Sequence, residues 1–238
     1  NARSLTDDIR GRIAMPLQHV LFPALSSVQD DPVRVRELVI KSGRVLAAIV
    51  IPIGIGISAT SRELVLVLYG PKWASMIPIM AMFGLSASIR AATAIASPLF
   101  NASDKVVLAM KYNVVGTVVM IGSVIAAIPH GIEVVAYAVA LASLYTLVPF
   151  RAALALVGMG LPHIWALLGP PLVAAALMWI AIWISRATLS QWIVNPFYLL
   201  ASFSIAGAMI YFLALNAISK VYFADLTELI RKFNKKRR

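Results

Sequence analysis

Long, largely apolar runs constrain this chain more than any other feature. Six of them, Val45–Leu66, Ile77–Phe100, Val106–Ile128, Val134–Leu156, Ile164–Ile184 and Phe197–Ile218, reach the roughly 20 residues that a spanning helix needs. In hydrocarbon every backbone N–H and C=O must find an internal partner, so only helices and closed barrels cross. The runs are continuous rather than alternating, which argues against barrel strands. Hydrophobic residues make up 61% of the chain and charged residues 13%, against about 45–50% and about 25% in soluble domains. The sequence therefore predicts an all-α integral membrane protein with six to seven transmembrane helices. The seventh candidate is a partial or kinked helix within residues 1–28, Ile13–Val28, which contains Pro16, His19 and Pro23.

The net charge is +11. The charges lie between and beyond the spans, where membrane loops carry them, so nucleic acid is not an expected partner. The chain has no cysteine and three scattered histidines, His19, His130 and His163. No thiolate site, HExxH motif, carboxylate pair or phosphate loop is present, so no cofactor, metal or enzymatic activity is expected.

Alternate connections differ in basic residues. Arg34, Arg36, Lys41, Arg44, Lys105, Lys111, Arg151 and the tail fall on one side, and only Arg62, Lys72 and Arg186 on the other. The richer side is expected to be cytoplasmic, which places the C-terminus inside. The predicted organisation has a cytoplasmic surface helix over residues 29–44, with Pro32 in its first turn and Val35, Leu38 and Val39 on one face. A six-helix bundle follows over 45–218, then a basic amphipathic cytoplasmic tail over 219–238. In that tail Tyr222, Phe223, Leu226, Leu229, Ile230 and Phe233 recur at spacings of three and four, a pattern suited to a lipid interface. The chain opens "NARSLTDDIR", with neither methionine nor a signal-peptide pattern, and is expected to be a piece of a longer protein.

Between Ala74 and Ser103 the single charged residue is Arg90. An arginine at the centre of a span costs about 2.5–3.5 kcal/mol to insert. On a continuous helix, Ser86, Arg90, Thr93, Ser97 and Asn101 share one face, with small alanines filling much of the rest. Pro98 near the end frees a backbone carbonyl. The planar guanidinium fork suits phosphate oxygens, so these five residues are the predicted substrate contacts, with Arg90 meeting an anion in an aqueous cavity. The alternative is structural: Arg90 caps carbonyls of a neighbouring helix or snorkels to an interface.

Three stretches carry a family resemblance. "FPALS" at Phe22–Ser26 closes one segment before a charged helix. "YGPKWASMIPIM" at Tyr69–Met80 has a G-x-x-W turn followed by membrane re-entry. "SIRAATAIASPLFNASDK" at Ser88–Lys105 is a helix with an internal arginine that ends in a small polar loop. Over about Leu21–Lys111 the chain resembles the oligosaccharide and polysaccharide flippases of the O-antigen or colanic-acid exporter type, within the multidrug/oligosaccharidyl-lipid/polysaccharide exporter superfamily. That resemblance implies two pseudo-symmetric helical lobes around a central cavity, and this chain would supply most of the second.

It also implies a function: moving an undecaprenyl-pyrophosphate-linked oligosaccharide across the bacterial inner membrane for polysaccharide biosynthesis and export. The implied partners are that lipid-linked glycan, the bilayer and the N-terminal lobe of the same protein. A multidrug-type exporter of the same superfamily is the alternative, although a cavity arginine repels cationic drugs. A membrane glycan polymerase or glycosyltransferase needs a catalytic constellation and a sizeable extramembrane loop, and the sequence displays neither.

Overall fold

The first described helix starts where the sequence supplies a cap. The Asp31 side chain accepts hydrogen bonds from the backbone N–H groups of Val33 and Arg34, at 3.1 and 3.2 Å, and Pro32 occupies the first turn. The structure is a computed structural model that describes residues 31–192, 195–222, 224 and 225. The expected segment Ile13–Val28 and most of the basic tail lie outside the described residues.

The chain order is α1 (Pro32–Ala59), α2 (Ser61–Leu68), a 3-10 turn Pro71–Met76, α3 (Ile77–Ala92), α4 (Ala96–Ala102), α5 (Val106–Ala127), α6 (Ile132–Ser143), α7 (Leu147–Leu156), α8 (Leu161–Trp192) and α9 (Pro196–Ile218). No strand occurs among the described residues. Six helical segments are long and apolar enough to cross a membrane: Val33–Ala59, Pro71–Ala102, Val106–His130, Ile132–Leu156, Leu161–Leu189 and Pro196–Ile218. The chain is an all-α, multi-pass membrane protein.

Three boundaries depart from the sequence reading. No break separates a surface helix ending at Arg44 from a span beginning at Val45. One helix of 28 residues runs through both, about 42 Å at 1.5 Å per residue, so its charged end extends past the hydrocarbon layer of about 30 Å. Continuity follows from burial: Val35 and Val39 on the charged half join the same core as Leu46 and Ile51. The span expected to reach Leu66 stops instead at Ala59, because Thr60 leaves helical geometry and directs both its N–H and its Oγ1 to the Gly56 carbonyl, at 2.9 and 2.8 Å. At the far end, "SRATLSQ" is not a connection, since α8 continues through it for 32 residues in all.

Helix α1 is central, packing against α3 and α8, while α8 packs on α9 and α3 on α6. At the α1–α3 contact the backbones nearly touch. A Cβ built on Gly54 would lie 2.5 Å from the Gly84 carbonyl oxygen, and one built on Gly84 would lie 2.6 Å from the Gly54 oxygen. Small residues are what permit this approach between membrane helices. Pro52 interrupts α1 without opening it. Its missing N–H leaves the Ala48 carbonyl without an intrahelical donor, and the buried Tyr211 hydroxyl of α9 donates to that oxygen at 2.8 Å.

Polar contacts of arginines hold the ends of this core. The Arg36 guanidinium meets His163 Nε2, joining the starts of α1 and α8. At the other end Glu63, 3% exposed, receives two hydrogen bonds from Arg186: Nε to Oε1 at 3.1 Å and Nη2 to Oε2 at 2.8 Å. Arg186 Nη2 also donates to the Ala59 carbonyl at 2.6 Å, and the guanidinium lies 5.7 Å from the Phe203 ring centroid. Glu63 is a carboxylate that the sequence reading did not single out. Removing one partner of a buried pair costs about 3–5 kcal/mol because the other charge is stranded. Arg186 is itself partly exposed, so Arg186→Ala is expected at the lower end of that range. The expected readout is a lower melting temperature in detergent, partly restored when Glu63→Leu is added.

Candidate substrate site

The site is built on a helix that breaks where the sequence lets it. Thr93 Oγ1 donates to the carbonyls of Ile89 at 3.0 Å and Arg90 at 3.2 Å. Pro98 has no N–H to offer the Ala94 carbonyl, four residues before it. The backbone then tightens into three-residue turns, Ala94 N–H to Ala91 O at 3.2 Å and Ala96 N–H to Thr93 O at 3.1 Å. Helix α3 therefore ends at Ala92 and α4 begins at Ala96.

The break, together with burial, divides the five predicted contacts. Ser86 is fully buried and its hydroxyl donates to the Phe83 carbonyl at 3.0 Å, while Thr93 is 5% exposed and also bonded to its own helix. These two are not on an open polar face: hydroxyls in an apolar core satisfy themselves on nearby carbonyls. Arg90, Ser97 and Asn101 are exposed. Arg90 is engaged in an interaction of its own.

Ser97 and Asn101 line a groove of about 520 Å³ between α4 and α5. Across it stand Asn113 and Thr117, one turn apart on α5, and between them Val106, Met110, Val114 and Val118 make an apolar floor. Thr117 Oγ1 donates to the Asn113 carbonyl at 2.8 Å, which fixes its rotamer. The two primary amides and two hydroxyls supply both donors and acceptors without net charge. Such a surface suits a ligand carrying many hydroxyls and apolar C–H faces. Arg90 lies on α3, across the helix break from Ser97 and outside the groove lining, so a ligand that reaches both would join a neutral part to an anionic one. Among the described residues, no group of three or more His, Cys, Asp or Glu is placed to hold a metal.

The substrate contacts expected from the sequence did not include Asn113 or Thr117. Their signal was a spacing of four inside an otherwise apolar helix, facing the same way as Ser97 and Asn101.

The architecture defines a class: a multi-pass helical membrane protein with a neutral polar groove in an apolar bundle. The model of a family described as "Polysaccharide biosynthesis protein" matches residues 2–78. An "Uncharacterized membrane protein in cps region" of Klebsiella pneumoniae is 28% identical over 110 residues, covering 46% of this chain and 23% of that protein. "Lipopolysaccharide biosynthesis protein WzxC" of Escherichia coli (strain K12) is 28% identical over 109 residues, covering 46% of this chain and 22% of the relative. The resemblance read in the sequence is thus shown independently: the chain is similar to membrane proteins of polysaccharide biosynthesis. The matched part is less than a quarter of each relative's length. The family match ends at Pro78, so Arg90 and the groove lie beyond it. No solved structure matches the chain.

Proposed function

We propose that the chain is the substrate-handling half of a flippase that moves a lipid-linked oligosaccharide across the bacterial cytoplasmic membrane for polysaccharide export. The groove formed by Ser97, Asn101, Asn113 and Thr117 carries this reading. Its neutral donors and acceptors over an apolar floor suit sugar hydroxyls and C–H faces, and the exposed Arg90, across the helix break on α3, suits a phosphate or an acidic sugar. The proposed substrate is an undecaprenyl-pyrophosphate-linked oligosaccharide. The families and relatives reported above support the glycan part of that assignment.

In this reading the basic loops and the C-terminus face the cytoplasm. The end of α4 and the start of α5 then lie near the cytoplasmic leaflet, where a newly made lipid-linked glycan enters. The first lobe, supplied by the N-terminal part of the same protein, completes the cavity, and rocking of the two lobes exposes it to either side. No bond is made or broken, so no catalytic residue is assigned.

The test is the double variant Asn101→Ala, Asn113→Ala in the full-length protein. Each lost hydrogen bond is worth about 1 kcal/mol, so export of surface polysaccharide is expected to fall roughly 10- to 30-fold at unchanged abundance in the membrane. Normal surface polysaccharide in that variant would contradict the groove's role.

A further inference from the structure

Helix α8 carries two consecutive prolines, Pro170 and Pro171, inside its length. Neither has an N–H, so the carbonyls four residues earlier, Ala166 and Leu167, lose their intrahelical donors. One hydroxyl sits against both and shares its single proton between them. The Tyr222 hydroxyl lies 2.8 Å from the Leu167 oxygen and within hydrogen-bond distance of the Ala166 oxygen. Tyr222 belongs to the segment after α9, which ends at Ile218, and it is 2% exposed.

That segment is held from a second direction. The Arg44 guanidinium of α1 stands 5.8 Å from the Tyr222 ring centroid, and its Nη1 lies 3.7 Å from Asp225 Oδ2. Burial pushes the Tyr222 phenol above its usual range, with Arg44 opposing, so the hydroxyl keeps the proton it donates. The Tyr211–Ala48 bond behind Pro52 is the same repair made within the bundle. At Tyr222 the repair comes from a segment outside the spanning helices.

We propose that the segment carrying Tyr222 and Asp225 is a latch. Docked, it closes the backbone break at Pro170–Pro171 and makes α8 a single stiff element; undocked, it leaves two open carbonyls and lets the first turns of α8 hinge. Those turns also carry His163, which meets Arg36, and Leu167, whose side chain packs over Gly43 of α1. The latch thereby sets how the start of α8 sits on α1. It does not depend on the transport reading.

Hydrogen exchange on the full chain in lipid nanodiscs tests this. Tyr222→Phe keeps the ring and removes the donor. Amides of residues 163–169 are expected to exchange about tenfold faster, with residues 174–189 unchanged. Adding Pro170→Ala and Pro171→Ala restores the missing N–H groups, and should return residues 163–169 to the original rate. Unchanged exchange at 163–169 in Tyr222→Phe, acceleration spread evenly along α8, or failure of the triple variant to restore protection would each overturn the latch.

Discussion

Gly84→Ala is expected to lower the melting temperature of the purified protein by roughly 5–10 °C, the effect of about 2–3 kcal/mol of overpacking. The added methyl would sit 2.6 Å from the Gly54 carbonyl oxygen and 2.8 Å from the Ser58 nitrogen. Both are backbone atoms, so no side chain can rotate away, and α1 and α3 must separate. Gly54→Ala should behave alike, since its methyl meets the Gly84 carbonyl and Ser88, each at 2.5 Å. Separation would spread through the bundle because α1 also carries α8. Gly122→Ala is the control: nothing lies within 4 Å of its Cβ, and the better helix former should be neutral or slightly stabilising. Thermal unfolding in detergent, followed by loss of monodisperse protein, distinguishes the two outcomes. Equal melting temperatures for the Gly84 and Gly122 variants would show that the α1–α3 contact is looser than described.

Arg90→Ala in the full-length protein is expected to cut glycan export roughly 10- to 100-fold while leaving insertion and abundance unchanged. A hydrogen bond to a charged group contributes about 1.5–3 kcal/mol, and each 1.4 kcal/mol is about tenfold in affinity. Stability should be spared because Arg90 is exposed, unlike the Arg186–Glu63 pair, whose loss acts on folding. Arg90→Lys should recover export only in part, since an ammonium keeps the charge and loses the bidentate fork. The readouts are surface polysaccharide per cell and protein per membrane. If both fall together, Arg90 holds the fold rather than the substrate.

How far the sequence anticipates the structure depends on what each feature obeys. The six spans follow from hydropathy alone, because lipid forces backbone satisfaction within each helix. The exact ends obey local partners that hydropathy does not see. Thr60 folding back on Gly56 shortens one helix, and burial of Val35 and Val39 extends the same helix through its charged half. The polar stripe around Arg90 was legible as a set of residues but not as a surface. A constant helical spacing assumes an unbroken helix, and Thr93 with Pro98 breaks this one. Ser86 and Thr93 turn inward, and their places across the groove are taken by Asn113 and Thr117 of α5. Glu63 was hidden for a similar reason. Its partner Arg186 is 123 residues away, and only the tertiary fold brings the two side chains together. In the tail, the stripe beginning at Tyr222 suggested a surface helix, yet Tyr222 is buried against α8. The rest of that stripe lies outside the described residues.

In the proposed function the groove takes the sugar of a lipid-linked glycan and Arg90 its anionic group. The most direct measurement reconstitutes the full-length protein in vesicles and follows transfer of a labelled lipid-linked oligosaccharide between leaflets. Wild-type protein is expected to move the glycan, with Arg90→Ala and the Asn101→Ala, Asn113→Ala variant each slowing transfer at least about tenfold at equal protein content. Transfer by both variants at the wild-type rate would show that neither the groove nor Arg90 handles the glycan.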